Sequence, residues 1–403
     1  MTQREIFFLN LGLPSRQPLA LEIERADGIY LYDIHGKRYT DLVSGITVSN
    51  IGHRHPAVIK AICDQADKYL HLMVYGKYIQ SPQVRLAARL AELLPPSLNC
   101  TFFVNSGSEA VEGAIKLAKR HTGRIEVIAF KNAYHGGTQG AMSILGDERL
   151  KNAFRPLIPG IAFLGFNDFE DLKRISSKTA CVVVEPIQAE AGIILPEDRF
   201  LQVLRNRCDE TGALLVFDEI QMGFGRTGRL FCFEHYGVVP DIITFAKGMG
   251  GGMPLGAFVS SSTIMASLAS NPELGHITTF GGHPVSCAAA LAALEVLTED
   301  DLIQQATVKG EMFRSLLEDH PLVKEIRMKG LMLAVELDDE SLTNQLTRIF
   351  IKNGLVVDQF LFCPQAFRIA PPLTITEEQI RETCEVVVAS LDELNKSLQG
   401  HKS

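Results

Sequence analysis

Ala213-Leu214-Leu215-Val216-Phe217 is an apolar run that stops on Asp218-Glu219, followed by Gln221 and a loop holding Gly223, Gly225 and Gly228. A second run, Ile242-Ile243-Thr244-Phe245-Ala246, ends on Lys247 and opens into Gly248-Met249-Gly250-Gly251-Gly252. Four or five consecutive apolar residues bounded by turn formers suit strands buried on both faces, as in a parallel sheet between helices. Ligands of such sheets collect at the carboxyl ends of the strands. The two runs therefore predict an acid and a lysine facing one crevice.

A buried lysine with a lowered pKa is the natural partner of a carbonyl, with which it forms a Schiff base. An aspartate aimed at a pyridine nitrogen keeps that ring protonated and able to act as an electron sink, the pairing used by pyridoxal phosphate enzymes. An opposite charge a few ångströms away shifts a pKa by about 1–3 units, enough to hold the ring nitrogen charged near neutrality. Lys247 and Asp218 are the candidate catalytic residues.

The ordered block Asp218-Glu219-Ile220-Gln221, Gly223-Phe224-Gly225-Arg226, Gly228, Pro240-Asp241 and Ala246-Lys247-Gly248 resembles the class III aminotransferases, of the ornithine, acetylornithine and 4-aminobutyrate type. The resemblance implies an α/β protein of the pyridoxal-phosphate fold type I. Its large domain would hold a mostly parallel sheet, and a smaller α+β domain would be drawn from both chain ends. Residues 1–51 would be the N-terminal part of the small domain, 52–289 the large cofactor-binding domain and 290–403 the C-terminal part.

Composition agrees with a two-lobed enzyme. The 403 residues exceed one typical domain, and a 46% hydrophobic content supports a substantial core. A formal net charge of −8 argues against nucleic acid or anionic membrane as a main partner. The N-terminus is not signal-like and no apolar run is long enough to span a bilayer, so the expected location is cytoplasmic. The eight cysteines form no Cys-x-x-Cys pair, and His53-Arg54-His55 has no acid or thiol at ligand spacing, so no metal site is expected.

Further motifs flank the central block. Residues 26–41 alternate apolar and polar around Asp27-Gly28 and His35-Gly36 and predict an antiparallel meander. Residues 56–69 and 82–94 have helical spacing. Thr101-Phe102-Phe103-Val104 feeds Asn105-Ser106-Gly107-Ser108 and then a helix over 110–120. A strand, a small polar turn and a helix N-terminus aim unpaired amides at an anion, although a simple N-cap is the plainer alternative. The loop fits neither a Walker A nor a dinucleotide fingerprint. An apolar strand at 126–130 ends in Lys131-Asn132-Ala133-Tyr134-His135-Gly136-Gly137, and one at 179–184 ends in Glu185-Pro186-Ile187-Gln188-Ala189-Glu190. Past the central block, the chain is expected to alternate helices and strands, ending in a helix over 377–394.

By resemblance, Gly107 and Ser108 hold the cofactor phosphate, Tyr134 stacks on its ring, and His135, Glu185 and Gln221 complete the cofactor contacts. Thr279, in Thr278-Thr279-Phe280-Gly281-Gly282-His283-Pro284, would reach the phosphate of a partner subunit, implying a homodimer with shared active sites. Glu190 and Arg368 would form the pair that opens to a substrate carboxylate, a grip for which arginine is better suited than lysine. The implied activity is ping-pong transamination between an amino donor and an α-keto acid. The chain departs from the family at Gly137, where ornithine- and aminobutyrate-type members usually carry an arginine that clamps a distal carboxylate. Glycine cannot do so, and Arg155 and Lys131 are the candidate substitutes. An aminomutase or racemase uses the same lysine and aspartate, and a non-catalytic scaffold is a further alternative, disfavoured because both residues are present.

Overall fold

The two apolar runs fold as adjacent parallel strands of one sheet. A computed structural model describes residues 1–400. Its strands are β1 (Ile23–Asp27), β2 (Tyr30–Asp33), β3 (Arg38–Asp41), β4 (Cys100–Val104), β5 (Glu126–Phe130), β6 (Ile161–Leu164), β7 (Thr179–Val184) and β8 (Leu214–Asp218). They continue with β9 (Ile242–Phe245), β10 (Gly256–Ser260), β11 (Glu325–Met328), β12 (Leu333–Glu336), β13 (Leu355–Val356), β14 (Asp358–Gln359) and β15 (Ala366–Ile369). The central sheet has the order β4-β10-β9-β8-β7-β5-β6, in which β10 runs antiparallel to both neighbours and the remaining pairs are parallel.

Alternation along these strands explains burial on both faces. Cys181 and Val183 of β7 pack with the helix Gly107–Thr122, and Val182 and Val184 pack with the helix Phe200–Thr211 on the other side. All six residues of β7 are buried. Each fully buried valine contributes about 1.5–3 kcal/mol, so a continuous apolar run is the stable choice here.

The helix Gly107–Thr122 begins where the Glu109 amide donates to Ser106 Oγ (3.3 Å) and Glu109 Oε2 accepts from the Asn105 amide (2.8 Å). It stops at Gly123, with φ of +69°, and Lys119, Arg120 and His121 sit against the negative end of its dipole. Gly113 lets the helix lie close to the sheet, since a Cβ there would be 2.3 Å from the Phe258 ring.

The meander β1-β2-β3 is completed by β13, whose Leu355 pairs in parallel with Thr40, so the two chain ends share a sheet. A third, antiparallel sheet, β11-β12-β15-β14, carries Arg368 on β15. Buried Arg226 bridges the lobes by donating to Asn50 Oδ1 (2.7 Å) and to the carbonyls of Leu331 (3.0 Å) and Pro371 (2.5 Å). Burial pulls its pKa down to about 9, against the charge of Asp41.

Some elements differ from expectation. The helix expected over 56–69 ends at Ala66, where the Lys68 amide makes a tighter bond back to the Gln65 carbonyl and the Gln65 side chain donates to the Tyr69 carbonyl (3.0 Å). A boundary after residue 289 falls inside the continuous helix Pro284–Glu299, which packs on the helices Pro56–Ala66 and Ser81–Leu93. The helix Gln3–Asn10 had no counterpart in the sequence reading. It is fixed by a Thr2–Glu5 capping box and buries no residue, and its apolar residues Ile6 to Leu9 are contiguous rather than spaced as a helical stripe.

Candidate active site

Five strands running the same way deliver their carboxyl ends to one cavity of about 360 Å³, within the range of small-molecule sites. β4 brings Gly107 and Ser108, β5 brings Tyr134 and His135, β7 brings Glu185, and β8 and β9 bring Asp218, Gln221 and Lys247. Eight of the predicted positions thus meet in one wall, because every strand that supplies them points the same way. Val48, Met253, Pro254 and Leu255 also line it. Sequence reasoning did not single them out, since apolar residues in loops carry no chemical signal.

Asp218 pairs with Thr244 in the β8–β9 register, and Lys247 follows three residues later. Both Asp218 oxygens are engaged: Oδ1 accepts from the Ile220 amide (3.0 Å) and Oδ2 contacts His135 Nδ1 (2.7 Å). A carboxylate can only accept, so the His135 proton sits on Nδ1. Burial lowers the His135 pKa, but the hydrogen bond and charge of Asp218, with Glu185 behind it, raise it above its ordinary value overall. His135 Nε2 is buried and has no hydrogen-bond partner among the described residues.

Lys247 adopts φ of +48°, a left-handed conformation that a side-chain-bearing residue adopts at a cost of about 1–3 kcal/mol. Its pKa is lowered, by burial first and by the charge of Arg368, against the pull of Glu190, Asp218 and Glu185. The result favours the neutral, nucleophilic amine. Glu185 is raised to about 7 by burial, and its oxygens accept from the amides of Tyr134 (3.0 Å) and Ala189 (2.9 Å).

On the phosphate side, Gly107 and Ser108 open the helix whose first-turn amides have no intrahelical acceptor. Ser108 Oγ accepts from the Gly137 amide (3.2 Å), and a Cβ on Gly136 would lie 2.1 Å from that oxygen. The residues that line one cavity therefore fit pyridoxal phosphate: helix N-terminal amides suit an anion, a carboxylate suits a ring nitrogen, and an amine suits an aldehyde.

Glu190 and Arg368 do not line this cavity, but Glu190 is hydrogen-bonded to Gln221, which does. Arg368 is fully buried, and its Nη2 donates to Glu190 Oε1 (2.7 Å). Glu190 Oε1 also accepts from Gln221 Nε2 (3.3 Å), and Oε2 from the Leu361 amide (3.1 Å). Burial would raise the Glu190 pKa, but the charges of Arg368 and Lys247 with these hydrogen bonds hold it below its ordinary value. Gly137 is exposed, and a Cβ there would have nothing within 4 Å. Neither candidate substitute takes the place of the arginine: Arg155 is paired with Glu148 (2.7 Å), and Lys131 is exposed and outside the cavity. Thr279 is exposed and also outside it.

A lysine on a strained turn, an aspartate braced by a histidine and a helix N-terminus at the strand ends of a seven-stranded sheet are the parts of a pyridoxal-phosphate enzyme of fold type I. Comparison with known proteins agrees. The family described as aminotransferase class-III matches residues 13–391, and this chain belongs to it. Acetylornithine aminotransferase of Methanocaldococcus jannaschii is 38% identical over 396 residues, covering 96% of this chain and 95% of the relative. An (S)-enantioselective omega-transaminase from Thermomicrobium roseum has a TM-score of 0.89 at 32% identity, covering 97% of both chains. An ornithine aminotransferase from Toxoplasma gondii, described with partial occupancy of pyridoxal phosphate at its active site, gives 0.89 at 30% identity, covering 98% of this chain and 96% of that one. The enzyme thus moves amino groups between donors and keto acids with pyridoxal phosphate.

Proposed function

We propose that this transaminase takes its amino group from a donor whose reacting amine is remote from, or lacks, an α-carboxylate, and passes it to a keto acid with a single carboxylate, of the pyruvate class. The observation that carries the reading is the open, cation-free position at Gly137, which leaves buried Arg368 as the carboxylate anchor. The names of the relatives, acetylornithine aminotransferase and omega-transaminase, support an amine at the far end of a donor.

Pyridoxal phosphate, when bound, supplies the electron sink that stabilises negative charge at the substrate carbon. Lys247 would hold the cofactor through Nζ, and its amine, which burial favours in the neutral form, would be the base placed to move a proton at the substrate carbon. Asp218 would accept from the ring nitrogen, and His135 Nδ1 holds the Asp218 carboxylate in place (2.7 Å). The Gly107 and Ser108 amides would bind the phosphate, Tyr134 would pack on the ring with its amide held by Glu185, and Gln221, which donates to Glu190, would face the ring oxygen. Arg368 takes the keto-acid carboxylate after Glu190 swings away.

Thr279 acts in a second copy of the chain. It lies beside exposed Ile277 and Phe280, an apolar surface suited to burial in a homodimer. No helix among the described residues is long and apolar enough to cross a membrane.

The test is a half-reaction, following the absorbance of the bound cofactor after mixing with L-glutamate, L-alanine, acetylornithine, ornithine or 4-aminobutyrate. Conversion by alanine or an ω-amine but not by glutamate is expected. Conversion by glutamate overturns the reading from Gly137, and no conversion by any amine favours an aminomutase, a racemase or a scaffold.

A further inference from the structure

Arg368 is flanked by a second carboxylate. In the β14–β15 ladder Asp358 is its direct cross-strand partner. Residues opposite one another in an antiparallel pair project to the same face. Asp358 Oδ2 accordingly lies 4.0 Å from Arg368 Nη1, while Glu190 holds Nη2 at 2.7 Å. Phe360, two residues further on, lays its ring 4.6 Å from the guanidinium centre.

The two acids differ in how they are held. Glu190 sits on an irregular segment after β7 and is anchored to the 361–362 backbone by its side chain and its carbonyl. Asp358 belongs to a strand, so its position relative to Arg368 is set by the ladder. Its side chain is 46% exposed, against 7% for Glu190, so solvent solvates its outer side and rotation of Glu190 leaves it in place. Arg368 Nη1 and Nε have no hydrogen-bond partner among the described residues, and 4.0 Å is an ion-pair rather than a hydrogen-bond separation. That side of the guanidinium is polarised by a charge yet still has donors to offer.

We propose that Asp358 is a specificity-determining residue that weakens the grip of Arg368 on the acceptor carboxylate. It rests on the reading of Arg368 as the carboxylate anchor. When the keto acid displaces Glu190, Asp358 remains and partly cancels the guanidinium charge. A monocarboxylate is then held loosely enough to leave as its amino acid, and the same space admits a donor with no carboxylate there. Sequence alone gives no hint of this, because the pairing depends on the register of a two-residue strand.

The experiment compares Asp358→Asn, Asp358→Glu and Arg368→Gln in steady-state assays with an ω-amine donor and varied pyruvate. Asp358→Asn is expected to lower KM for pyruvate about two- to fivefold with kcat unchanged, the size of a half-exposed charge interaction. Asp358→Glu should keep the wild-type KM, and the difference between wild type and Asp358→Asn should shrink in high salt. Arg368→Gln should raise KM. If Arg368→Gln raises KM while Asp358→Asn leaves it unchanged or raises it, the role of Asp358 is overturned and the anchor stands. If Arg368→Gln leaves KM unchanged, the anchor fails and this inference fails with it.

Discussion

Gly137→Arg should convert the acceptor preference of this enzyme. The backbone accepts the change: Gly137 is not among the positive-φ glycines, a Cβ there meets nothing within 4 Å, and its amide keeps its bond to Ser108 Oγ. An arginine here stands at the exposed rim beside the phosphate cradle, where it can reach the distal carboxylate of a dicarboxylic keto acid. A solvent-exposed ion pair is worth about 0.2–1 kcal/mol and a hydrogen bond to a charged group about 1.5–3. An intermediate value of about 1–2 kcal/mol corresponds to roughly a 5- to 30-fold gain in kcat/KM. That gain is expected for 2-oxoglutarate, with pyruvate changed by less than about twofold because it presents no second carboxylate. The assay is the ratio of kcat/KM for the two acceptors in wild type and variant, with equal melting temperatures as the folding control. A wild type that already prefers 2-oxoglutarate, or a folded Gly137→Arg with an unchanged ratio, refutes the argument.

Three further outcomes are expected. Asp218→Asn removes the charge facing the ring nitrogen, and a shift of about 1–3 pKa units there corresponds to a roughly 10- to 1000-fold loss of kcat/KM; a loss below twofold would show that another group holds the ring proton. Gly136→Ala sets a Cβ 2.1 Å from Ser108 Oγ at a φ of +128°, so the cradle must shift. Its expected cost is about 1–3 kcal/mol, seen as weaker cofactor binding in an equilibrium titration and contradicted by wild-type affinity. Glu219 is fully buried, accepts from the Cys232 and Phe233 amides at 2.6 Å each, and is raised to about 8 by burial. A folded value above the unfolded one means the neutral form is favoured by folding. Stability is therefore present below about 4.5 and is lost as pH rises toward about 8, by up to roughly 1.4 kcal/mol per unit. Denaturant midpoints from pH 5 to 8 should fall in wild type and flatten in Glu219→Gln; parallel curves would assign the slope elsewhere.

The central site was legible because each of its parts sits at a strand end whose neighbours in sequence announce it. Asp218 and Lys247 close apolar runs that suit a parallel sheet, and the structure sets those runs side by side; the roles of the residues around them were implied by the resemblance to the class III aminotransferases. Ser106-Gly107-Ser108 announces a helix N-terminus, and in the structure Ser106 caps that helix and Gly123 ends it. What lay beyond the sequence depends on long-range register. The antiparallel insertion of β10 between β4 and β9 leaves no mark on its own residues, which are as apolar as those of the parallel strands. Arg226 read as one member of a glycine-rich loop, yet it is buried against carbonyls from residues 331 and 371, a placement set by how the lobes close. Asp358 is the sharpest case. In sequence it is an ordinary acid before Gln359-Phe360, and only the two-residue pairing of β14 with β15 brings it to Arg368. The chemistry of the cofactor end is thus written locally, by strand ends and helix caps. Substrate choice is written in contacts between segments far apart in the chain, and there Gly137, Glu190, Asp358 and Arg368 have to be read together.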